Sequence, residues 1–138
     1  RQRAERIRAR ASGFTYTYIT RQVRNIMTPY YVSLIKDGPR LNAALEMVQF
    51  LRRHLVPKLF ARDLHELKMA LEAENMVLNA EMMLRASIAR TESRGVHFRE
   101  DYPCPDEENW RAWTAVSRDG ETMRVEKIPV PAGMWDEV

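Results

Sequence analysis

Between Arg90 and Pro103 the chain reads Arg-Thr-Glu-Ser-Arg-Gly-Val-His-Phe-Arg-Glu-Asp-Tyr-Pro, and Asp106-Glu107-Glu108-Asn109-Trp110 follows shortly after. Carboxylates, guanidinium groups and an imidazole are thus crowded into one short stretch. Ser93 and His97 could serve as nucleophile and base, but the sequence offers them no orienting acid and no oxyanion hole. His97, Asp101 and Cys104 could ligate a metal, yet their spacing matches no structural zinc pattern and a third nitrogen or sulfur ligand is missing. What remains is recognition. Guanidinium and carboxylate groups dock in bidentate geometry, and such pairs hold shape when partly buried. Arg90, Glu92, Ser93, Arg94, Gly95, His97, Arg99 and Asp101, with Asn109 and Trp110, are therefore the candidate site. They can be read as a surface that locks this region to another domain, or as an internal network tying the preceding helix to a following hairpin. None of them is assigned a catalytic, cofactor-binding or metal-binding role.

Other motifs close off further chemistry. His65-Glu66-Leu67-Lys68-Met69 begins like a zinc-protease helix, but Met69 stands where the second histidine would be. Gly13, Gly38, Gly95, Gly120 and Gly133 show neither a G-x-G-x-x-G spacing nor a phosphate loop, so no dinucleotide or nucleoside-triphosphate site of those kinds is encoded. Arg1, Arg3, Arg6, Arg8, Arg10, Arg21 and Arg24 face only Glu5 in the first part of the chain. Such an arm could attract phosphate backbones. No aromatic residue is interleaved between Arg1 and Arg10 to stack on bases, so a solvated helix or frayed linker with acidic partners on a missing domain is expected, and nucleic acid is not an expected partner.

Positioning the candidate cluster requires a framework. A chain of 138 residues with 45% hydrophobic and 30% charged content is long enough for one domain with a real core. Ile19, Val23, Ile26, Met27, Tyr30, Leu34 and Ile35 recur at helical spacing, predicting a helix over residues 15–36 with a kink or restart at Thr28-Pro29. Asp37-Gly38-Pro39 is expected to turn the chain. Leu41, Ala44, Leu45, Val48, Leu51 and Leu55 predict a second helix ending near His54 to Val56, before Pro57. The third helix, from about Asp63 to Thr91, carries three seven-residue series: Leu64, Leu71 and Leu78; Met69, Met76 and Met83; Ala70, Val77 and Leu84. An apolar arc that wide asks for cover beyond two neighbours, so part of it is expected to meet a partner or to self-associate. Gly95 is expected to end this helix, so that His97 and Arg99 project from it.

Asp106 suits the N-cap of a short helical turn. Asp119-Gly120 between alternating apolar residues signals a hairpin within residues 111–130, followed by an extended tail ending near Trp135. The fold class is thus mainly α: a three-helix, spectrin-repeat-like antiparallel bundle followed by a small β-hairpin. No apolar run approaches the roughly 20 residues that span a bilayer, and an Arg-rich start replaces a signal segment, so no direct membrane insertion and a cytoplasmic location are expected. Cys104 has no partner for a disulfide.

The stretch from Arg90 to Trp110 resembles the pattern R-x-E-S-R-G-x-H-x-R-x-D-x-P followed by D-x-E-N-W of the C-terminal helical domain in the succinate dehydrogenase and fumarate reductase flavoprotein family. Arg24-Asn25-Ile26-Met27 with Tyr30, Lys36-Asp37-Gly38, and Leu71-Glu72 with Asn75-Met76 and Ala80-Glu81 extend the likeness over most of the chain. The resemblance implies a non-catalytic C-terminal scaffold or docking domain of an FAD-dependent oxidoreductase. On that basis residues 1–14 form a basic linker from an upstream FAD-binding domain and residues 15–138 the helical domain. FAD then belongs to the parent protein and not to this chain, which alone is inactive. The implied partners are that FAD-binding domain and an iron–sulfur subunit at the cytoplasmic face of a membrane complex. L-aspartate oxidase and adenylylsulfate reductase share parts of the pattern. A free-standing helical module for protein–protein interaction is the alternative.

Overall fold

The computed structural model describes residues 2–131 and 133, so the expected tail ending at Trp135 lies largely outside the described residues. Helix α1 spans Gln2–Arg8, α2 Tyr16–Met27 and α3 Tyr30–Ser33, followed by strand β1 at Ile35–Lys36 and α4 at Gly38–Phe50. Then come α5 at Leu64–Ala89, β2 at Phe98–Arg99, α6 at Glu107–Trp110, and a hairpin of β3, Ala112–Asp119, with β4, Thr122–Pro129. Helix α5 packs against both α2 and α4, and α2 touches α4. The result is the expected mainly helical bundle with one antiparallel hairpin.

The Thr15 side chain caps α2 by accepting from Tyr18 N, and Ile19, Val23 and Ile26 form its buried face. Pro29 then costs the helix more than a kink. Helix α3 restarts for a single turn that buries only Val32, Tyr30 and Leu34 are exposed, and the helix stops before the expected residue 36. Lys36 O instead accepts from Glu100 N at 2.8 Å, and β1 pairs in parallel with β2. Asp37-Gly38-Pro39 is likewise not a free turn. Asp37 caps α4 by accepting from Arg40 N at 2.8 Å, and Gly38-Pro39 occupies its first turn. The second helix runs through a π-helical turn at Leu51–Leu55 and a 3-10 turn at Val56–Lys58 containing Pro57, so it ends about where expected.

Asp63 caps α5, whose buried line is Ala70, Ala73, Val77, Ala80, Glu81 and Leu84. Of the three seven-residue series, only Ala70-Val77-Leu84 is the core. Leu64 is 72% exposed, and Leu78 and Met83 also face out. Small side chains on the buried line let α2 and α4 approach closely, which leaves the bulkier series on the outer arc. Glu81 enters this core because Arg52 and Arg85 both reach it, at 2.7 and 2.8 Å.

Residues 2–8 are helical and docked. Ile7 is fully buried, and Arg3 and Arg6 both pair with Glu74 of α5 at 2.9 Å. Those two arginines therefore find their acidic partner inside the chain, contrary to the expectation of partners elsewhere. Gly13 lets Phe14 N reach Lys58 O at 2.9 Å, and a Cβ there would stand 2.1 Å from that oxygen. The hairpin turn is Gly120-Glu121, with Asp119 opposite Thr122 and Gly120 at φ 57°.

Candidate functional site

The candidate cluster begins where α5 ends. Arg90 leaves the helix in an extended conformation, so the last carbonyls of α5 need donors. Arg99, 2% exposed, supplies them: Nη1 donates to Ser87 O at 2.7 Å and to Ile88 O and Arg90 O at 3.3 Å. A cation at this end also meets the negative pole of the helix dipole. The other edge of the same guanidinium forks onto Asp101, Nε to Oδ1 and Nη2 to Oδ2, each 2.7 Å. Asp101 Oδ2 in turn accepts from Gly38 N at 2.9 Å, in the first turn of α4. Arg99 and Asp101 thus clamp the end of α5 to the start of α4. Arg99 holds the Asp101 carboxyl down to about 2, burial opposes this, and the Gly38 amide reinforces it.

Glu92 organises the other half and is fully buried. Its carboxylate accepts from Arg90 Nε at 2.8 Å, Arg94 Nε at 2.9 Å, Arg94 Nη2 at 3.0 Å and Asp106 N at 2.8 Å. Burial pushes its pKa up, but the donors from Arg94, Asp106 and Arg90 outweigh it and hold the group at about 2. Arg94 also pairs with Glu107 at 2.8 Å. Arg90 continues to the hairpin, donating to Trp110 O and Ala112 O at 3.0 Å. Trp110 is buried, donates Nε1 to Thr91 Oγ1 at 3.0 Å, and carries Arg90 and Lys127 over its ring at 5.2 and 3.8 Å. Asp106 caps α6, its Oδ1 accepting from Asn109 N at 2.9 Å.

Between these halves, Ser93 Oγ accepts from Arg99 N and donates to Tyr102 O, both at 2.8 Å. It is an internal brace, and it does not meet His97. His97 Nε2 donates to Arg90 O at 3.2 Å, while burial, partly offset by that bond, pushes the imidazole pKa down. Gly95 does not end α5 as expected. It opens a two-residue turn between Arg94 and His97, whose backbones exchange bonds of 2.8 and 3.0 Å, with Gly95 at φ 56° and Val96 at negative φ. That is the φ pattern of a type II′ turn. The helix ended earlier because Arg99 had already satisfied its carbonyls.

All ten candidate residues therefore fall in one contiguous cluster at the foot of α5. Spacing alone gave no sign of the more distant members, Gly38 and Lys127. Among the described residues no group of three or more His, Cys, Asp or Glu is placed to hold a metal ion.

A protein-family model described as the fumarate reductase flavoprotein C-terminus matches residues 20–135. The chain belongs to that family. A fumarate reductase flavoprotein subunit of Mycobacterium tuberculosis is 33% identical to this C-terminal domain over 109 residues, 74% of this chain and 18% of its own. An FAD-dependent oxidoreductase of Methanocaldococcus jannaschii is 34% identical over 98 residues, 71% of this chain and 17% of its own. An L-aspartate oxidase of Acinetobacter baylyi is 36% identical over 73 residues, 53% of this chain and 13% of its own. The stretches matched by this fumarate reductase-type domain thus make up less than a fifth of the length of these curated relatives. Among solved structures, a chain of Escherichia coli quinol fumarate reductase superposes with a TM-score of 0.84 at 22% identity, covering 94% of this chain and 23% of that one. A chain of the Mycobacterium smegmatis Sdh1 complex does so at 0.78 and 24%, over 94% and 23%.

The described glycines at positions 13, 38, 95 and 120 do not fit an FAD pyrophosphate. Such a group needs consecutive amides opened by glycines. Gly13 is closed against Lys58, Gly38 has its amide on Asp101, and Gly95 and Gly120 stand alone in separate hairpin turns. No helix among the described residues is long and apolar enough to cross a membrane.

Proposed function

We propose that this chain is the non-catalytic scaffold and docking domain of an FAD-dependent oxidoreductase of the succinate dehydrogenase and fumarate reductase type. The observation that carries the reading is the Arg94–His97 turn. Its tip, Val96, is 94% exposed, while its base is held by buried Glu92 and Arg99. A rigid network that neutralises its own charges has little left for chemistry and much to offer as a fixed platform. In this reading the upstream FAD-binding domain joins through residues 1–14, whose α1 already packs on α5, and residues 15–138 form the domain. FAD is held by the parent protein, an iron–sulfur subunit is a second neighbour, and the complex works at the cytoplasmic face of a membrane. The outer arc of α5 then lets the isolated chain self-associate.

The test is the size and flavin content of the native polypeptide in the source cells. A species several-fold larger than 16.2 kDa that carries flavin is expected. A flavin-free species at 16.2 kDa would instead make the chain a free-standing interaction module. The likeness to an L-aspartate oxidase favours a second reading of the substrate. Oxidation of succinate but not of L-aspartate by the purified flavoprotein would decide for the first.

A further inference from the structure

The β1–β2 pairing sets Lys36 directly opposite Arg99, with both turned inward while Ile35 and Phe98 face out. Like charges at such a position repel. The two cations differ in their company. Arg99 has Asp101 and three carbonyls of α5. The Lys36 side chain makes no hydrogen bond or ion pair with any described residue, although the residue is only 8% exposed. Its ammonium keeps a solvent contact, since no fully occluded side-chain nitrogen in the described chain lacks a partner. The tip therefore opens into a groove of about 310 Å³ between α2–α3 and the C-terminal half of α5. Met27, Val32, Leu41, Met83 and Leu84 line it, and no acidic side chain does. Burial and the neighbouring Arg99 both push the Lys36 pKa down. Methionine or leucine would fill this position with no charge to desolvate, so the lysine burdens the domain taken alone.

We propose that this groove seats a segment of the flavin-binding part of the same polypeptide, which lays an apolar side chain between α2 and α5 and sets a carboxylate on Lys36. This deepens the docking role above and rests on it. Two observations choose the occupant. Lys36, Arg99, Arg90 and His97 lie close enough to act on one another, and Lys36 alone among the three permanent cations lacks an acid, so the surface is complementary to an anion. In the curated relatives more than four-fifths of the chain lies outside the stretch that aligns with this domain and is available to supply it. Exposed Tyr30, Leu34, Ile35 and Phe98 extend the apolar surface around β1.

Zero-length carbodiimide coupling of the native flavoprotein, followed by peptide mass spectrometry, tests the contact. An amide between Lys36 and an aspartate or glutamate outside this chain is expected. Coupling through exposed Lys68 but never through Lys36 overturns the proposal. Lys36→Met supplies a second readout. Its thermal midpoint is expected to rise in the isolated chain, where a lone charge is removed, and to fall in the flavoprotein, where a pair is broken. A rise in both overturns the proposal and leaves the scaffold reading standing. A native polypeptide without flavin overturns that reading, and this one with it.

Discussion

Arg99 and Asp101 meet side-on through two bonds of 2.7 Å, and the pair bridges helices that start and end far apart in the chain. Removing the guanidinium leaves a carboxylate beside Gly38 and three helix carbonyls without their donor. Arg99→Met is expected to lower stability by about 3 kcal/mol, in the range for breaking a buried pair. Arg99→Lys should lose most of the same amount, because an ammonium cannot fork onto Asp101 and reach α5 together. Urea unfolding of the isolated chain checks both, and a wild-type midpoint for Arg99→Lys would refute the clamp.

Acid should loosen the same region. Glu92 and Asp101 titrate at about 2 in the folded chain, against ordinary values of 4.5 and 3.8. A depressed carboxylate contributes stability that is complete above its ordinary value and is lost as pH falls through its folded value. The urea midpoint should therefore decline between about pH 4.5 and 2. Glu81 and Glu66 are also depressed, so the variants Glu92→Gln and Asp101→Asn isolate the cluster. Each should flatten the decline, and an unchanged slope in both would count against the assignment.

Gly13 and Gly95 should behave differently when replaced by alanine. At Gly95 a Cβ meets open space, and only the left-handed φ of 56° is unfavourable, a cost of about 1 kcal/mol. At Gly13 the new carbon stands 2.1 Å from Lys58 O, so the Phe14–Leu59 bridge must open. About 3 kcal/mol is expected there, the upper range for overpacking. Equal midpoints for Gly13→Ala and Gly95→Ala would refute the close approach.

Trp110 couples the hairpin to the cluster through Thr91, Arg90 and Lys127. Trp110→Ala is expected to cost about 3 kcal/mol and to make β3–β4 the first site of proteolytic cleavage. Limited proteolysis with mass analysis reads this directly. First cuts elsewhere would mean that the hairpin is held by other contacts.

Much of this arrangement was legible in the residues. Asp106 acts as a cap, Gly120 makes a hairpin turn, and the crowded run after Arg90 does fold into one network. What escaped reading was decided at long range. Leu34 and Ile35 continue a helical period, yet Glu100, far along the chain, offers a donor that turns the next residue into a strand. Gly95 suits a helix end, but Arg99 had already capped the carbonyls. Three apolar series on α5 looked alike by period, and only side-chain volume distinguished the one that lets neighbours come close. Lys36 entered the sequence reading only within Lys36-Asp37-Gly38, and its isolation left no signal there, because that depends on which side chains the fold brings near it.

The clamp at Gly38 and Asp101 joins positions 63 apart, with the whole of α4 and α5 between them. Closing a loop of that length costs about 4 kcal/mol of chain entropy, so this contact cannot lead the folding reaction. It forms only after the helices have docked and shortened the search. During synthesis the N-terminal helices must wait until residues past Asp101 have left the ribosome before the domain can lock. The segment around Asp101 therefore decides when the start of α4 becomes native.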